Sequence, residues 1–397
     1  MTKKQKWDMA DKVLFALTVV AITLGVIFSY SLSSYIIIHN DYSQFHFFIR
    51  QFSTAVFCIF LIGAISKLSP ETALPKMGWS MLIIFTIVMA LMPILPSSLV
   101  PMINGAKRWI KLGPLSLSPV EFFKIGFVYF LAWSFTRKFY MNEDHRTLKE
   151  EAIIFAPYLL VLAMMAFLVV VLQNDLGQAI VMSATLAIML LFAGSSFRLF
   201  FFLLSGAFVS GIVFIVYSSY RLNKVLQWWA TIQDYILSVL PTFLSNYMRI
   251  EKAAIDEGYQ ASQSVNAIHN GGIMGTNIGE GIYKLGFVSD IHTDFILSGI
   301  IEETGFFGAL LVSAVILSIV YRIFKIANRS ENAVYYLFCV GIATITAFQF
   351  LMNSLGISGI MPIKGITVPF ISYGGSSLIA MSVAIGMVIM ISKRSRV

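Results

Sequence analysis

Long apolar runs separated by short polar segments dominate the chain. Ten of these runs approach or exceed the roughly 20 residues that a transmembrane helix needs. They cover about residues 13–37, 48–66, 78–96, 117–137, 152–172, 176–194, 197–218, 294–321, 332–353 and 368–392. The alternation predicts an all-α, polytopic integral membrane protein with ten transmembrane helices, forming a single membrane domain over residues 1–397.

The largest interruption of this pattern, residues 219–293, lies between the seventh and eighth predicted helices, on the extracytoplasmic side. Its first part, 222–248, is rich in Leu, Trp and Tyr, which predicts helices lying on the membrane surface. A Gly-rich stretch, GGIMGTNIGEGIYKLGF, and the segment SDIHTDF follow. A loop of this length is expected to carry function.

Composition supports the membrane class. Hydrophobic residues make up 58% and charged residues 12% of the chain, against roughly 45–50% and 25% in soluble domains. These values exclude a soluble enzyme, a disordered chain and a secreted disulfide scaffold. The two cysteines, Cys58 and Cys339, lie in apolar runs and form neither a disulfide framework nor a metal cluster.

The placement of the net charge of +8 indicates membrane topology rather than nucleic-acid binding. Lys and Arg accumulate in the N-terminal segment, in loop 138–151, near 322–331 and in the C-terminal KRSRV. With ten helices these segments share one side, which the positive-inside rule assigns to the cytoplasm. We therefore expect a multi-pass protein of the cytoplasmic (inner) membrane with both termini cytoplasmic, in contact with membrane lipid.

Ionisable residues within or beside the predicted helices are functional candidates because burying charge in a membrane is costly. Glu121 and Lys124 share one face of the fourth helix, as a structural ion pair or as part of a site. Asp294, in SDIHTDF, is a general base, a cation ligand or a helix N-cap. Asp290 could share a divalent cation with it, whereas Glu302 is expected to pair structurally.

Cations in the outer loops depart from the positive-inside bias. Arg108 and Lys111 lie in NGAKRWIKLG, and Arg221 follows the seventh helix. They fit an anionic head group such as a diphosphate, or the surface of bulk phospholipid. Asn174 and Asp175, in QNDLGQA, are expected to cap the sixth helix.

Six segments in order resemble a single family along nearly the whole chain. They are NGAKRWIKLG, LSPVEFFK, QNDLGQA, GYQASQS with GGIMG, HTDFI with IEETGFFG, and MPIKGITVPFISYGGSS. The chain is similar to the SEDS family (shape, elongation, division and sporulation) of the FtsW/RodA type. Lys364 in PIKG resembles the division-type FtsW branch more than the elongation-type RodA branch. SDIHTD stands where the family has PEAHTD, and NSLG where it has N-x-G.

The resemblance implies an inverting peptidoglycan glycosyltransferase in the bacterial inner membrane. Such enzymes polymerise lipid II into glycan strands and release undecaprenyl diphosphate. They act with a class B penicillin-binding protein, a transpeptidase, among divisome or elongasome proteins; septal synthesis is the expected setting here. No organic cofactor is implied.

The same resemblance implies roles for particular residues. Asp294 matches the family's catalytic carboxylate and becomes the expected base. Independently of the resemblance, the two carboxylates of Asp294 and Asp290 could share a divalent cation, Mg²⁺ or Mn²⁺. Contacts with lipid II are expected from Arg108, Lys111, Glu121, Lys124, Arg221, Gln263 and Lys364.

Two other functions stay open at this point. A lipid II flippase would suit the membrane-embedded Glu121 and Lys124, whereas the outer position of Asp294 favours polymerisation. A scaffold that only recruits the transpeptidase would leave Asp294 dispensable.

Overall fold

The structure is a computed structural model. It describes residues 11–39, 41–103, 106–113, 115–140, 147–217, 219–239, 241, 243, 245, 248–249, 259–289, 291–362 and 365–394. The described helices are α1 (Lys12–Leu32), α2 (Ser34–His39), α3 (His46–Ser66), α4 (Pro70–Leu91), α5 (Pro119–Phe135), α6 (Leu148–Ala166), α7 (Leu176–Phe192), α8 (Phe197–Val216), α9 (Ser219–Val239), α10 (Tyr259–Gly271), α11 (Ile296–Asn328), α12 (Ala333–Ile357) and α13 (Gly375–Ser392). One-turn π segments extend α5 (Thr136–Tyr140) and α6 (Phe167–Leu172).

One element departs from the all-α prediction. Strands β1 (Ile110–Leu112) and β2 (Leu115–Leu117) form an antiparallel hairpin in the first predicted outer loop. Gly113 occupies the turn with a φ of +63°, a backbone conformation that glycine adopts readily. The described chain is otherwise helical, so the all-α class holds apart from this hairpin between α4 and α5.

Each of the ten predicted apolar runs overlaps at least one helix in the described part of the chain, and the first run overlaps both α1 and α2. Of these helices, seven are long and apolar enough to cross a membrane: α1, α3, α4, α6 with its π segment, α11, α12 and α13. The helices α5 and α7 each span only 17 residues. The structure thus confirms a mainly helical chain with several membrane-spanning helices.

Helices α5 and α13 form the centre of the bundle because almost all of their side chains are buried. Glycines bring α4 and α5 into close contact. A Cβ on Gly126 would lie 2.3 Å from the Leu82 main-chain nitrogen, and one on Gly78 would lie 2.2 Å from the Tyr129 ring. Such small residues let helix backbones approach closely where hydrophobic burial gives little drive for association. The outer helices expose large apolar side chains, as lipid-facing surfaces do, for example Phe60, Ile84 and Leu310.

Ion pairs show which chain segments share one end of the bundle. Asp11 accepts a bond from Arg322 at 2.7 Å, and its main-chain N–H donates to the Ser392 hydroxyl at 3.0 Å. Arg394 pairs with Glu71 at 2.6 Å. The start of α1, the end of α13 and the predicted cytoplasmic loop after α11 therefore meet at the same end, as expected for one membrane face.

The eighth predicted helix is interrupted. Gly305 has φ 68° and ψ −160°, so α11 consists of two helical parts, 296–304 and 306–328. The Gly-rich stretch packs into this break, since a Cβ on Gly275 would lie 2.4 Å from the Glu303 carbonyl oxygen. The span predicted over 294–321 therefore corresponds to one candidate membrane helix, which is broken at Gly305.

Contacts of α1 place this break relative to the membrane. Asp11, at one end of α1, meets Arg322, and Ser31, near the other end, donates to Glu303. The intervening helix is about 30 Å long, which matches the roughly 30 Å hydrocarbon core of a bilayer. Glu303 and the Gly-rich stretch consequently lie at the boundary opposite Asp11 and Arg322.

The last predicted run also begins too early. The helix α13 begins at Gly375, and residues 365–374, hereafter the C-terminal loop, are not helical. This loop folds against the segment that precedes α11 and contributes directly to the site described below.

Candidate active site

Asp294 lies in a turn immediately before α11. The helix begins at Ile296, and its N-cap position is Phe295, so the N-cap falls on neither Thr293 nor Asp294. The Asp294 side chain is partly exposed. The helix boundary therefore gives no support to the capping alternative for this carboxylate.

The main chain of the HTD segment, residues 292–294, is held at three consecutive positions. Its carbonyls accept, in order, from the Tyr373 N–H at 3.0 Å, the Ser372 hydroxyl at 2.7 Å and the Asn353 side-chain amide at 2.6 Å. The first two donors belong to the C-terminal loop and the third to α12. We call these three bonds the HTD clamp, and it fixes the backbone that carries Asp294.

The C-terminal loop also faces the Asp294 carboxylate. Gly365 has a φ of +65°, and a Cβ at this position would lie 3.1 Å from Asp294 Oδ2. A side chain here would meet both backbone strain and a crowded carboxylate. The glycine of the PIKG motif is therefore explained by its approach to the candidate base.

His292 is packed rather than exposed to substrate. Its ring lies 5.3 Å from the Phe47 ring and 5.4 Å from the Tyr373 ring, measured between centroids. Burial lowers the pKa of His292 to about 4, so the ring is neutral at physiological pH. Its Nδ1 has no hydrogen-bond partner among the described residues, which fits packing rather than proton transfer.

Arg108 is bonded to the loop between α6 and α7. Its Nε donates to the Gln173 carbonyl at 3.0 Å, and its Nη2 donates to the Asn174 carbonyl at 2.5 Å. Asp175 Oδ2 lies 3.9 Å from Nη1, and Asp175 Oδ1 accepts from the Gln178 N–H at 3.2 Å. Burial raises the pKa of Asp175, and the neighbouring Arg108 opposes that rise. Asp175 caps α7 as predicted, while Arg108 has a structural partner that sequence reasoning missed.

Glu121 and Lys124 form the predicted ion pair. The Lys124 ammonium donates to Glu121 Oε2 at 2.9 Å, and both side chains are buried within the bundle. Gln178 donates to the other carboxylate oxygen at 3.0 Å. Since Gln178 also follows the cap of α7, a buried polar chain connects this pair to Arg108.

Lys111 lies on β1 with an exposed side chain. Its strand partner is Ser116, whose carbonyl accepts from the Ser376 hydroxyl at 3.4 Å. Ser376 stands in the first turn of α13, directly after the C-terminal loop. The strand that pairs with Lys111 is therefore joined to the start of α13, two residues beyond the C-terminal loop.

For four predicted site residues the structure gives no contact that bears on substrate or metal binding. Gln263 lies on α10, where its side-chain oxygen accepts from Asn266 at 3.3 Å. Arg221 is on α9, but its side chain is outside the described part of the structure, as are Asp290 and Lys364. Their assignments as substrate or metal contacts stay predictions.

A second buried ion pair was not predicted from the sequence. The Lys284 ammonium donates to Glu303 at 2.7 Å, and the Ser31 hydroxyl donates to the same carboxylate at 2.6 Å. Glu302 accepts from the Ile282 main-chain N–H at 2.6 Å and from Asn270 at 3.2 Å. The two glutamates of IEETG therefore fasten the Gly-rich stretch, in line with the structural role expected for Glu302.

The donor chemistry around Asp294 limits the kind of metal site. No group of three or more His, Cys, Asp or Glu side chains arranged for a metal occurs among the described residues. Mg²⁺ is commonly bound through one or two carboxylates together with substrate phosphates and water. A carboxylate at Asp294 fits that mode, in which the substrate completes the coordination.

Comparison with known proteins identifies relatives over nearly the full length. Residues 11–397 match the family described as "Cell cycle protein" (FTSW_RODA_SPOVE). The chain is 42% identical over 387 residues to the "Probable peptidoglycan glycosyltransferase FtsW" of Helicobacter pylori, covering 97% of this chain and 99% of that protein. It is 32% identical to the protein of the same name from Trichlorobacter lovleyi, covering 96% and 93%.

Solved structures agree with the fold. The rod shape determining protein RodA of Thermus thermophilus superposes with a TM-score of 0.64 at 22% identity, over 98% of both chains. A chain from the structure named "Structural coordination of polymerization and crosslinking by a peptidoglycan synthase complex" gives a TM-score of 0.69 at 24% identity, covering 96% and 97%. At these identities the likeness concerns the fold.

A helical membrane bundle with a clamped carboxylate at the end opposite its termini defines a polytopic membrane protein with a candidate active site. The family match and the relatives specify it further. This chain belongs to the FtsW/RodA/SpoVE family of cell cycle proteins, the SEDS family, which confirms the resemblance seen in the sequence.

Proposed function

We propose that this chain is a peptidoglycan glycosyltransferase that polymerises lipid II during septal wall synthesis. The names of its relatives support the reaction class. The observation that carries the proposal is the HTD clamp, which holds the backbone of Asp294 through three bonds from two other segments. A base needs this kind of fixed position to meet a substrate hydroxyl.

Asp294 acts as the general base of an inverting transfer. It accepts the proton of the acceptor 4-hydroxyl while that oxygen bonds to the donor's anomeric carbon. The donor's anomeric C–O bond breaks, and undecaprenyl diphosphate leaves with the electron pair. Attack from the opposite face converts the α-linked donor into a β-linked product.

The leaving diphosphate requires positive charge rather than a proton. Lys111 on the hairpin supplies part of this charge, and Arg108, which bonds to the loop between α6 and α7, supplies the rest. Asp294 and Asp290 would hold Mg²⁺ or Mn²⁺, which would neutralise charge on the leaving diphosphate. Arg221, Gln263 and Lys364 contact lipid II from the outer segments of the chain.

The buried Glu121–Lys124 pair shapes the cavity wall beneath this surface. The pair is neutral as a unit and is bonded to Gln178. It therefore orders the helices α5 and α7 without placing a net charge in the bundle.

The membrane arrangement follows from the positions of the charges. Ten helices cross the inner membrane, both termini are cytoplasmic, and Asp294 faces the outside. A class B penicillin-binding protein and other divisome proteins bind this chain, so that polymerised strands are crosslinked. A membrane-impermeant thiol reagent applied to whole cells tests this orientation. It should label the Lys111→Cys variant, on the outer side, and should not label the Lys393→Cys variant, on the cytoplasmic side.

The deciding experiment is polymerisation of labelled lipid II by purified protein with its transpeptidase, whose activity is blocked by a β-lactam. Wild type should form glycan chains, and Asp294→Asn should form none. Glu280→Gln is the matched control, because Glu280 is an exposed carboxylate that bonds only within its own turn, to Asn277.

Each result has a separate meaning. Chains from Asp294→Asn at the wild-type rate would remove Asp294 as the base while keeping the enzyme. Absence of chains from wild type, with the partner shown to be bound, would favour the flippase or the scaffold. Detergent micelles contain no bilayer to cross, so polymer made there cannot come from flipping.

A further inference from the structure

The side chain of Asn353 connects three segments at the candidate site. Its Nδ2 donates to the Asp294 carbonyl at 2.6 Å and to the Ile366 carbonyl at 2.6 Å. These acceptors belong to the turn before α11 and to the C-terminal loop, whereas Asn353 itself is on α12. We infer that Asn353 is the positioning residue that sets Asp294 for proton transfer, an inference that rests on the proposed function.

The chemistry of the two neighbours determines the orientation of the amide. Both partners are main-chain carbonyls, which only accept, so the atom facing them must be the NH₂ group. Both of its hydrogens are used. Oδ1 is buried and has no partner among the described residues, so the side chain contributes here as a double donor.

This geometry links the backbone of Asp294 to the loop that approaches its carboxylate. One bond fixes the carbonyl of Asp294 itself. The other fixes Ile366, whose neighbour Gly365 approaches Asp294 Oδ2 closely enough that a Cβ would lie 3.1 Å away. The Asn353 amide therefore holds both the backbone of Asp294 and the residue next to Gly365, and so sets the distance between Gly365 and the Asp294 carboxylate.

A role confined to the stability of α12 does not account for these contacts. The acceptors lie 59 and 13 residues from Asn353 in the sequence, and neither belongs to α12. Asn353 is 5% exposed, so water has little access to replace its hydrogens. Loss of the donors would leave two carbonyls competing for other partners, and the backbone of Asp294 would shift.

The test compares Asn353→Asp with Ser354→Ala in the lipid II polymerisation assay with the transpeptidase partner. Asn353→Asp keeps the shape but places an oxygen against both carbonyls. The control removes a neighbouring side chain that bonds only within α12, to Phe350. We expect kcat to fall about 100-fold in Asn353→Asp, since small misplacements of catalytic groups have effects of that size.

A split between kcat and KM separates positioning from simple unfolding. KM for lipid II should change by less than about threefold, because the proton transfer and not the binding is affected. Rates are expressed per molecule that binds labelled lipid II, which removes any contribution of inactive protein. Asn353→Gln, which retains the NH₂ group on a longer side chain, should recover part of kcat.

Amide hydrogen exchange provides a readout that needs no activity. The Tyr373 N–H donates to the HTD segment, so its peptide should exchange faster in Asn353→Asp and not in Ser354→Ala. Unchanged exchange, or unchanged kcat per binding molecule, would overturn the inference. If wild type made no polymer, the proposed function would fail, and exchange alone would decide whether Asn353 holds the segment.

Discussion

The buried Lys284–Glu303 pair predicts an asymmetric response to mutation. The two side chains are 3% and 0% exposed and lie 2.7 Å apart. The Ser31 hydroxyl donates to both oxygens of Glu303, at 2.6 and 2.7 Å. The variant Lys284→Met removes only the lysine. The Glu303 carboxylate then stays buried beside the Ser31 hydroxyl but has lost its positively charged partner.

The magnitude follows from general values for buried ion pairs. Removing one partner costs about 3–5 kcal/mol, whereas replacing both by uncharged side chains is often close to neutral. An unfolding entropy of about 2.1 cal/mol/K per residue amounts to about 0.8 kcal/mol/K for a chain of this length. Lys284→Met should therefore lower Tm by about 4–6 °C, and the double variant Lys284→Met/Glu303→Gln should recover most of that loss.

The Tm of each variant is measured on detergent-solubilised protein, by the loss of the monodisperse gel-filtration peak on heating. Lys107→Met is the matched control, since the Lys107 ammonium donates to the Pro93 and Leu95 carbonyls. Its removal strands no buried carboxylate, and we expect a shift of about 1 °C. A double variant as unstable as Lys284→Met would refute the reasoning, because the loss would then come from the missing contacts and not from an unpaired charge.

Three further predictions concern the outer site. Gly365→Ala should reduce kcat far more than Gly113→Ala. Both glycines have positive φ, but of the two only Gly365 would place a Cβ against the carboxylate of Asp294, the proposed base. Equal kcat values for the two variants would contradict this. Burial lowers the pKa of His292 from 6.5 to about 4. The neutral ring's contribution to the free energy of unfolding is therefore fully present above pH 6.5. It is lost as the pH falls from 6.5 towards 4, by about 3 kcal/mol in total. His292→Phe should flatten the dependence of Tm on pH over that interval, and an unchanged slope would assign it to other groups. Lys111→Gln should raise KM for lipid II without lowering Tm. Arg108→Lys should lower Tm, because lysine cannot reproduce the two bonds that Arg108 donates to main-chain carbonyls. Steady-state kinetics and thermal unfolding of both variants separate the two effects.

The parts of the structure that the sequence could predict are governed by local spacing. A run of about 20 apolar residues specifies a membrane helix almost regardless of context. The i,i+3 spacing of Glu121 and Lys124 places the two side chains together on any helix, and the observed 2.9 Å pair confirms that prediction. Asp175 likewise caps α7 as its position before an apolar helix indicated.

The start of α13 and the break inside α11 were not predicted, because tertiary contacts impose the backbone conformation at both places. Residues 365–374 are apolar enough to continue α13, yet they leave the helix to bond with the HTD segment. Gly305 breaks α11 because the Gly-rich stretch occupies the space beside it. Hydrophobicity alone does not distinguish such segments from a continuous span.

The partners of the candidate base could not be predicted for a related reason. Asn353 and Ser372 reach the HTD segment across 59 and 79 residues, and Lys284 reaches Glu303 from within a loop. No periodicity links such positions. A polar residue near the end of an apolar run indicates only that it requires a partner, and the fold decides which partner it finds.

The HTD clamp acts on main-chain carbonyls, so it controls the position of Asp294 through the backbone. Two of its donors, the Tyr373 N–H and the Ser372 hydroxyl, belong to the C-terminal loop, and the third, the Asn353 amide, belongs to α12. If residues 365–374 continued α13, the Tyr373 N–H would bond within that helix and could not reach the His292 carbonyl. The non-helical conformation of this apolar segment and the fixed backbone of the candidate base therefore depend on each other.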